Sequence, residues 1–339
     1  MAWLSGWKYR KDITLARASG LVTNYQMKLL VGESSGATGE NVDCGGKCLS
    51  TFNDLRFTTS DGTTLLDYWI ESISGTTPNQ LATVWIEFDS IGTSDTTFYM
   101  YYGNSGASAA SSGANTFIIF DDFERGEAGD AVGGIWTSSY ATISTDHAYQ
   151  GSRCVKLPGV TSDWGAGTGH IYFTLNTSDE IAIRFKFWKE DAASFDLWHG
   201  NGTKCLHVRM ATNETIYYSG GNSTGKSCKK DAWDDLEIKN IRWASYLMDL
   251  YYTGDALCKS DCSFINDAAA NNKIALYSRN GGVGNDSYID CFIVRNFRAT
   301  EPAWGSWGAE EYDGSFTTES AVASATMDGI TPIESTTES

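Results

Sequence analysis

Apolar and polar residues alternate with a period of two along much of this chain. In ATVWIEFDSI, Val84, Ile86 and Phe88 alternate with Trp85 and Glu87, and in NDLRFT, Leu55 and Phe57 alternate with Asp54 and Arg56. Successive strand side chains point to opposite faces, so each pattern predicts a β-strand with one face on a core. Asp61-Gly62 lies between two such runs and predicts a tight hairpin turn, because glycine takes a positive φ at little steric cost. Beyond residue 115 the strand-like runs recur as IYFTL, EIAIRFKFW, CLHVRM, TIYYS, DDLEIKNIRW, LMDLYYTG, KIALYS and YIDCFIVRNF. The closest thing to a helical stretch, near Ala268 to Asn272, is too short to be stable without packing. The pattern predicts an all-β fold.

Length and composition sharpen that picture. At 339 residues the chain exceeds the ~250–300 residues at which single cores stop growing, which predicts two domains. The linker SGASAASSGAN, Ser105 to Asn115, divides them. We expect one β-sandwich over residues 1–115, a second over 116–312, and an extended Ser, Thr and acid-rich tail over 313–339. A tail of that composition cannot bury a core and is by default disordered; the alternative is an arm whose short apolar anchors, Phe316, Met327 and Ile330, order on a neighbouring subunit. Only 4 prolines against 35 glycines suit many strands joined by turns. The formal net charge of −17 would repel phosphate backbones and anionic lipid, so no nucleic acid and no membrane is expected as a partner. No apolar run approaches the ~20 residues of a membrane helix, and the opening MAWLSGWKYRK holds no signal-peptide core.

Four motifs carry a family resemblance. They are WKYRKDIT at Trp7 to Thr14, NDLRFTTSDGTTLLDYWIE at Asn53 to Glu71, ATVWIEFDSI at Ala82 to Ile91 and FYMYYGN at Phe98 to Asn104. In this order the first third of the chain resembles the domain-of-unknown-function family 2341. That resemblance implies a β-sandwich on surface-exposed proteins of cells or viruses, and no established activity. In the second part, FDDFE at Phe120 to Glu124, WDDLEI at Trp233 to Ile238, LYYTGD at Leu250 to Asp255 and YIDCFIVRNF at Tyr288 to Phe297 together resemble the concanavalin A-like, or laminin-G-like, jelly roll. First and last strands of such a sandwich commonly pair, which would set FDDFE beside YIDCF and make WGSWGAEEY a strap closing that sandwich. The resemblance implies carbohydrate or protein binding, with no cofactor beyond a structural calcium in some members. Asp121, Asp122 and Asp290 match the calcium ligands in type; the simpler account is that they solvate strand ends.

Catalytic chemistry finds little support in the residues. Retaining glycoside hydrolysis needs two carboxyl groups about 5–5.5 Å apart. Asp235 and Glu237 share one strand face in WDDLEIKN, but the further glutamate of laminarinase-like enzymes is absent and an exposed acidic edge explains the pair. The four histidines show no metal-ligand spacing and no GxSxG elbow is present. We therefore expect no enzyme. Binding draws on two loops that mix aromatic plates with polar groups: Asp163 and Trp164 in TSDWGAGTGH, and Trp198, His199 and Asn201 in FDLWHGNGTK. Trp233 and Trp243 read as core by their strand context.

Eight cysteines in an acidic β-rich chain argue for disulfides. By position the expected pairs are Cys44 with Cys48, Cys258 with Cys262, Cys205 with Cys228 and Cys154 with Cys291; reduced thiols filling a core are the alternative. The sequence thus predicts a non-enzymatic module on a virion or cell exterior, with glycans or a host surface as partner and assembly into a larger particle or filament. A purely structural capsid, tail or filament subunit is the alternative, and a glycoside hydrolase the second.

Overall fold

The computed structural model describes residues 2–16, 20–34, 39–92, 94, 96–159, 170–175, 180–199, 206–252, 256–266, 273–279 and 285–315. Among these residues almost all regular structure is strand, arranged in four sheets, with one helical turn at Gly113–Thr116. No helix is long and apolar enough to cross a membrane.

Two of the sheets come from the two ends of the chain. A six-stranded sheet runs Ala303–Trp307, Tyr9–Ala16, Thr96–Tyr102, Arg56–Thr58 and Leu65–Leu66, with Glu311–Tyr312 also paired to Tyr9–Ala16. A four-stranded sheet runs Val42–Asp43, Val22–Gly32, Leu81–Ile91 and Tyr68–Ser74. Leu29, Val31, Val84 and Ile86 from the second face Phe57, Met100 and Tyr102 from the first, and all are buried in one core. The alternation at Val84, Ile86 and Phe88 faces this core as expected. The Asp61-Gly62 turn forms too: Phe57 pairs with Leu66, Gly62 takes φ +82°, and a Cβ there would collide with the carbonyl oxygen of Ala2. The Asp61 carboxylate accepts both the Thr63 and Thr64 amides at 2.8 Å.

The other two sheets enclose a second core. A seven-stranded sheet runs Thr137–Ser139, His170–Thr174, Lys273–Arg279, Ser194–His199, Leu206–Met210, Thr215–Tyr218 and Asn222–Ser227. An eight-stranded sheet runs Thr142–Ser144, Cys154–Leu157, Ser287–Asn296, Ile181–Lys189, Trp233–Arg242, Leu247–Tyr252 and Ala256–Ser263, with Ile119–Asp121 also on Ser287–Asn296. Phe185, Phe187, Leu236, Ile238 and Phe292 pack there against Phe195, Leu197, Val208 and Leu276. The expected pairing of the FDDFE and YIDCF strands is present, with Asp121 opposite Phe292.

The WGSWGAEEY segment does not close the second pair of sheets. It returns to the first, where Trp307 lies opposite Ile13 and Tyr312 opposite Tyr9. The reason is local: Tyr9–Ala16 would otherwise be an open sheet edge, and Trp304 and Trp307 pack onto the first core. The Trp304 indole donates to the Lys28 carbonyl at 2.7 Å, and Tyr102 donates to Glu310 at 2.7 Å.

No disulfide links the seven described cysteines; Cys44, Cys48, Cys154, Cys228, Cys258, Cys262 and Cys291 are free thiols, and Cys205 lies outside the described residues. This corrects the expected cross-links. Cys154 and Cys291 lie on neighbouring strands, but their thiols turn to different acceptors, the Ser144 carbonyl at 3.6 Å and the Gln150 side chain at 3.3 Å. Cys228 donates to the Glu214 carbonyl and Cys262 to that of Lys259. Burial is the leading cause that pushes the Cys154, Cys228 and Cys262 thiols each up to about 12, as expected of small core residues.

Candidate functional site

The four-stranded and eight-stranded sheets meet along their outer faces, and this seam contains the site. Trp69 and Trp85 point away from the first core, Ile293 away from the second, and Phe117 and Phe120 wedge between them. The rings meet edge to face, Trp69 to Phe120 at 4.8 Å and Trp85 to Phe117 at 5.6 Å. Trp85, on the face opposite the core-facing Val84 and Ile86, is therefore only 4% exposed.

Beside this aromatic wedge the seam becomes ionic. Arg184 donates from Nη1 to Glu71 at 2.8 Å and from Nη2 to Asp235 at 2.6 Å, so it joins a strand of each sheet. Lys186, two residues on and on the same face, lies 3.0 Å from Asp235 and 3.8 Å from Glu71. Burial alone would lower the Arg184 pKa, but Glu71 and Asp235 outweigh it and raise it well above the ordinary value. Burial likewise opposes the charge on Glu71 and Asp235, yet Arg184 holds both below their usual range. Asp235 and Glu237, expected on an exposed acidic edge, are thus drawn into this seam; Glu237 is 3% exposed and pairs with Arg295 at 3.0 Å.

Above the ion pairs opens a cleft of about 380 Å³, lined by Lys28, Leu30, Glu71, Ser72 and Thr83 from one side and Tyr149, Arg184, Lys186, Lys229, Trp233, Asp234 and Asp235 from the other. Its rim continues as a row of rings. Tyr149 meets Trp233 at 5.9 Å, Trp233 meets Trp188 at 6.0 Å, and His147 stacks on Trp188 at 4.2 Å. Tyr149 is 40% exposed, and the Lys186 ammonium sits 4.7 Å from its ring centre. Asp290 holds this loop in place by accepting the Tyr149 and Gln150 amides at 2.9 and 3.1 Å. Burial pushes Asp290 up to about 6, against the pull of those amides. A second cleft of about 220 Å³ lies further along the seam, between Tyr25, Gln26, Met27, Lys28 and Trp85 and Lys239, Arg295, Glu301, Pro302 and Trp304.

The sequence-predicted residues that the structure describes do not line this cleft. Asp163, Trp164 and Asn201 lie outside the described residues. Trp198 and His199 end the Ser194–His199 strand, opposite His207 and Leu206, in the sheet on the far side of the second core from the seam. The three aspartates expected at a calcium are engaged by protein donors. Asp121 receives Arg125 at 2.6 and 2.8 Å and the Trp136 indole at 2.7 Å, Asp122 caps the Glu124 amide, and Asp290 holds the Tyr149 loop. Among the described residues no group of three or more His, Cys, Asp or Glu side chains is set to hold a metal ion. Sequence reasoning passed over Lys28, Glu71, Tyr149, Arg184 and Lys186. The legible signal was Arg184 and Lys186 alternating with Phe185 and Phe187, cations on the outer face of a strand whose inner face is core. Trp233, read as core, is half-buried in the cleft instead.

Solved structures that align include an endo-β-1,4-glucuronan lyase from the fungus Trichoderma reesei (11% identity, 55% of this chain and 98% of the other, TM-score 0.38). An endo-acting O-glycanase of the human gut microbiota that initiates mucin breakdown aligns at 10% identity, over 54% and 100% of the two chains, with TM-score 0.36. The CBM22-1 xylan-binding domain from Paenibacillus barcinonensis aligns at 14% identity, over 54% and 96%, with TM-score 0.28. No curated protein matches the chain. The family described as Domain of unknown function (DUF2341) matches residues 51–139, a stretch that starts in the first pair of sheets, holds three of the four motifs of the resemblance and ends in the second pair, so the chain carries an N-terminal region of that family.

Proposed function

We propose that the chain is a non-catalytic glycan-recognition module of a virion or cell exterior, and that it binds sugar in the cleft between Lys28 and Trp233. The observation that carries this reading is the row Tyr149, Trp233, Trp188 and His147 on the rim of a charged cleft. A sugar ring offers C–H faces to aromatic plates and hydroxyl groups to charged side chains, and the cleft presents both together. Its volume lies within the ~300–1,000 Å³ range of small-molecule sites. The Arg184 ion pairs fix its walls before any ligand arrives, which lowers the ordering cost of binding. In this reading the second pair of sheets is the concanavalin A-like jelly roll that the motifs resemble, and its outer face is the recognition surface.

Binding is favoured over hydrolysis because Glu71 and Asp235, the two carboxylates facing each other across Arg184, are both held in the ionised form. Glycoside hydrolysis requires one carboxyl group to hold a proton near neutral pH. A glycan array with the full chain tests the reading: saturable binding lost in Trp233→Ala and Tyr149→Ala is expected. Binding that survives both substitutions would place the site elsewhere. A blank array with concentration-dependent assembly would favour the structural subunit, and release of reducing ends from a bound glycan would favour the hydrolase.

A further inference from the structure

Building on the glycan reading, we propose that the ligand is a linear anionic polysaccharide that lies along the seam and crosses Lys28 from the first cleft into the second. Both clefts are lined by Lys28, and the Val22–Gly32 strand runs from one to the other. Gln26 borders the second and Leu30 the first, roughly 13 Å apart at the ~3.3 Å rise of a strand, a span that takes several sugar rings and not one.

Charge selects the class of polymer. The two clefts are lined by six basic side chains, Lys28, Arg184, Lys186, Lys229, Lys239 and Arg295, against four carboxylates, Glu71, Asp234, Asp235 and Glu301. Even with Glu237 counted, which pairs with Arg295 and Lys239, the seam is basic on a chain of net charge −17. A neutral sugar would not need that local inversion; an anionic one is attracted to the seam and repelled by the rest of the surface, which favours this one track. Lys28 is the hinge of the argument. Burial, and then the Arg184 charge, lowers its pKa while Glu71 and Glu237 pull it up, so an anion that settles beside it adds to that pull. Trp304, half-buried at the second cleft and fixed by its hydrogen bond to the Lys28 carbonyl, supplies a further ring on that side. Nucleic acid fits less well, because even a single strand of DNA carries a charge every ~3.4 Å, whereas a polyuronate carries at most one per ring and meets less repulsion from the acidic flanks.

The test is titration calorimetry of the full chain with polygalacturonate, chondroitin sulfate, neutral xylan and single-stranded DNA, at low and at physiological salt. Tighter binding of an acidic polysaccharide than of xylan is expected, weakening as salt rises. Galacturonate oligomers should gain affinity with length until they span both clefts. Lys28→Gln and Lys239→Gln should each weaken the acidic ligand at least about tenfold and flatten its salt dependence. The polygalacturonate and chondroitin sulfate arms separate carboxylate from sulfate as the recognised anion. Equal, salt-insensitive affinity for xylan and polygalacturonate would overturn this inference while the glycan reading stood, and so would tighter binding of DNA. No binding to any polysaccharide, including those of the array, would overturn both. Should Lys28→Gln fail to fold, the salt and length series on the unaltered protein still decide the matter.

Discussion

Replacing Arg184 by Met probes the seam at its centre. The guanidinium is the shared donor to Glu71 and Asp235, and the three side chains are 10%, 7% and 13% exposed. Removing one member of a buried ion pair costs about 3–5 kcal/mol, since the partner charge is left desolvated and uncompensated. Here two carboxylates lose their partner, but Lys186 stays 3.0 Å from Asp235 and 3.8 Å from Glu71, so we expect the lower end, about 3 kcal/mol. The pH dependence follows from the sign of the shifts. In the native protein Glu71 and Asp235 sit below their unfolded pKa values; their stabilisation is present above those values and is lost as pH falls through the folded ones. Without Arg184, burial dominates and raises both groups, so the variant's deficit is greatest at neutral pH and narrows toward about pH 4 as they take up protons. Urea unfolding followed by tryptophan fluorescence at several pH values measures this. Arg184→Met combined with Glu71→Gln and Asp235→Asn should recover part of the loss, because both carboxylates are then neutral and only Lys186 keeps a buried charge without its two partners. A loss below about 1 kcal/mol, a deficit that does not narrow in acid, or no recovery in the triple variant would refute the reasoning.

Three further outcomes follow from the same structure. Trp304→Ala removes packing on the first core and the bond to the Lys28 carbonyl, and should cost about 2–3 kcal/mol in the unfolding transition; an unchanged transition would show that the returning strand contributes nothing to that core. Asp290 should titrate near 6 by carboxyl NMR; because its folded pKa is raised, its contribution to stability is full below the unfolded value and is lost as pH rises through about 6, and a midpoint below 4 would contradict the burial argument. Cys154, Cys228 and Cys262, each pushed up to about 12, should resist iodoacetamide at pH 8 until the chain is unfolded, and rapid native labelling by peptide mapping would show that they are not buried thiols.

The sequence by itself determined the strands and several of their turns. The alternation at Val84, Ile86 and Phe88, or at Leu236 and Ile238, is local, and the pleat turns it directly into a core-facing side; Asp61-Gly62 is equally local, because a positive φ and a carboxylate accepting two nearby amides lie within four residues. The pairing of FDDFE with YIDCF was also legible, from a resemblance that carries strand order. What lies on a strand's second face was not legible. Trp85, Asp235 and Glu237 read as outward residues and Arg184 drew no reading at all; in isolation each sandwich would leave all four in water. They are buried because two outer faces from distant parts of the chain are pressed together, and the other sheet supplies Arg184 with one of its two carboxylate partners: Glu71 is more than a hundred positions from Arg184. The same holds for Trp304, whose strand closes the first sheet instead of the adjacent second pair. Periodicity reports which side of a strand is apolar, but whether the polar side faces solvent or another sheet depends on long-range packing, and the candidate site exists only where that packing brings the two polar sides together.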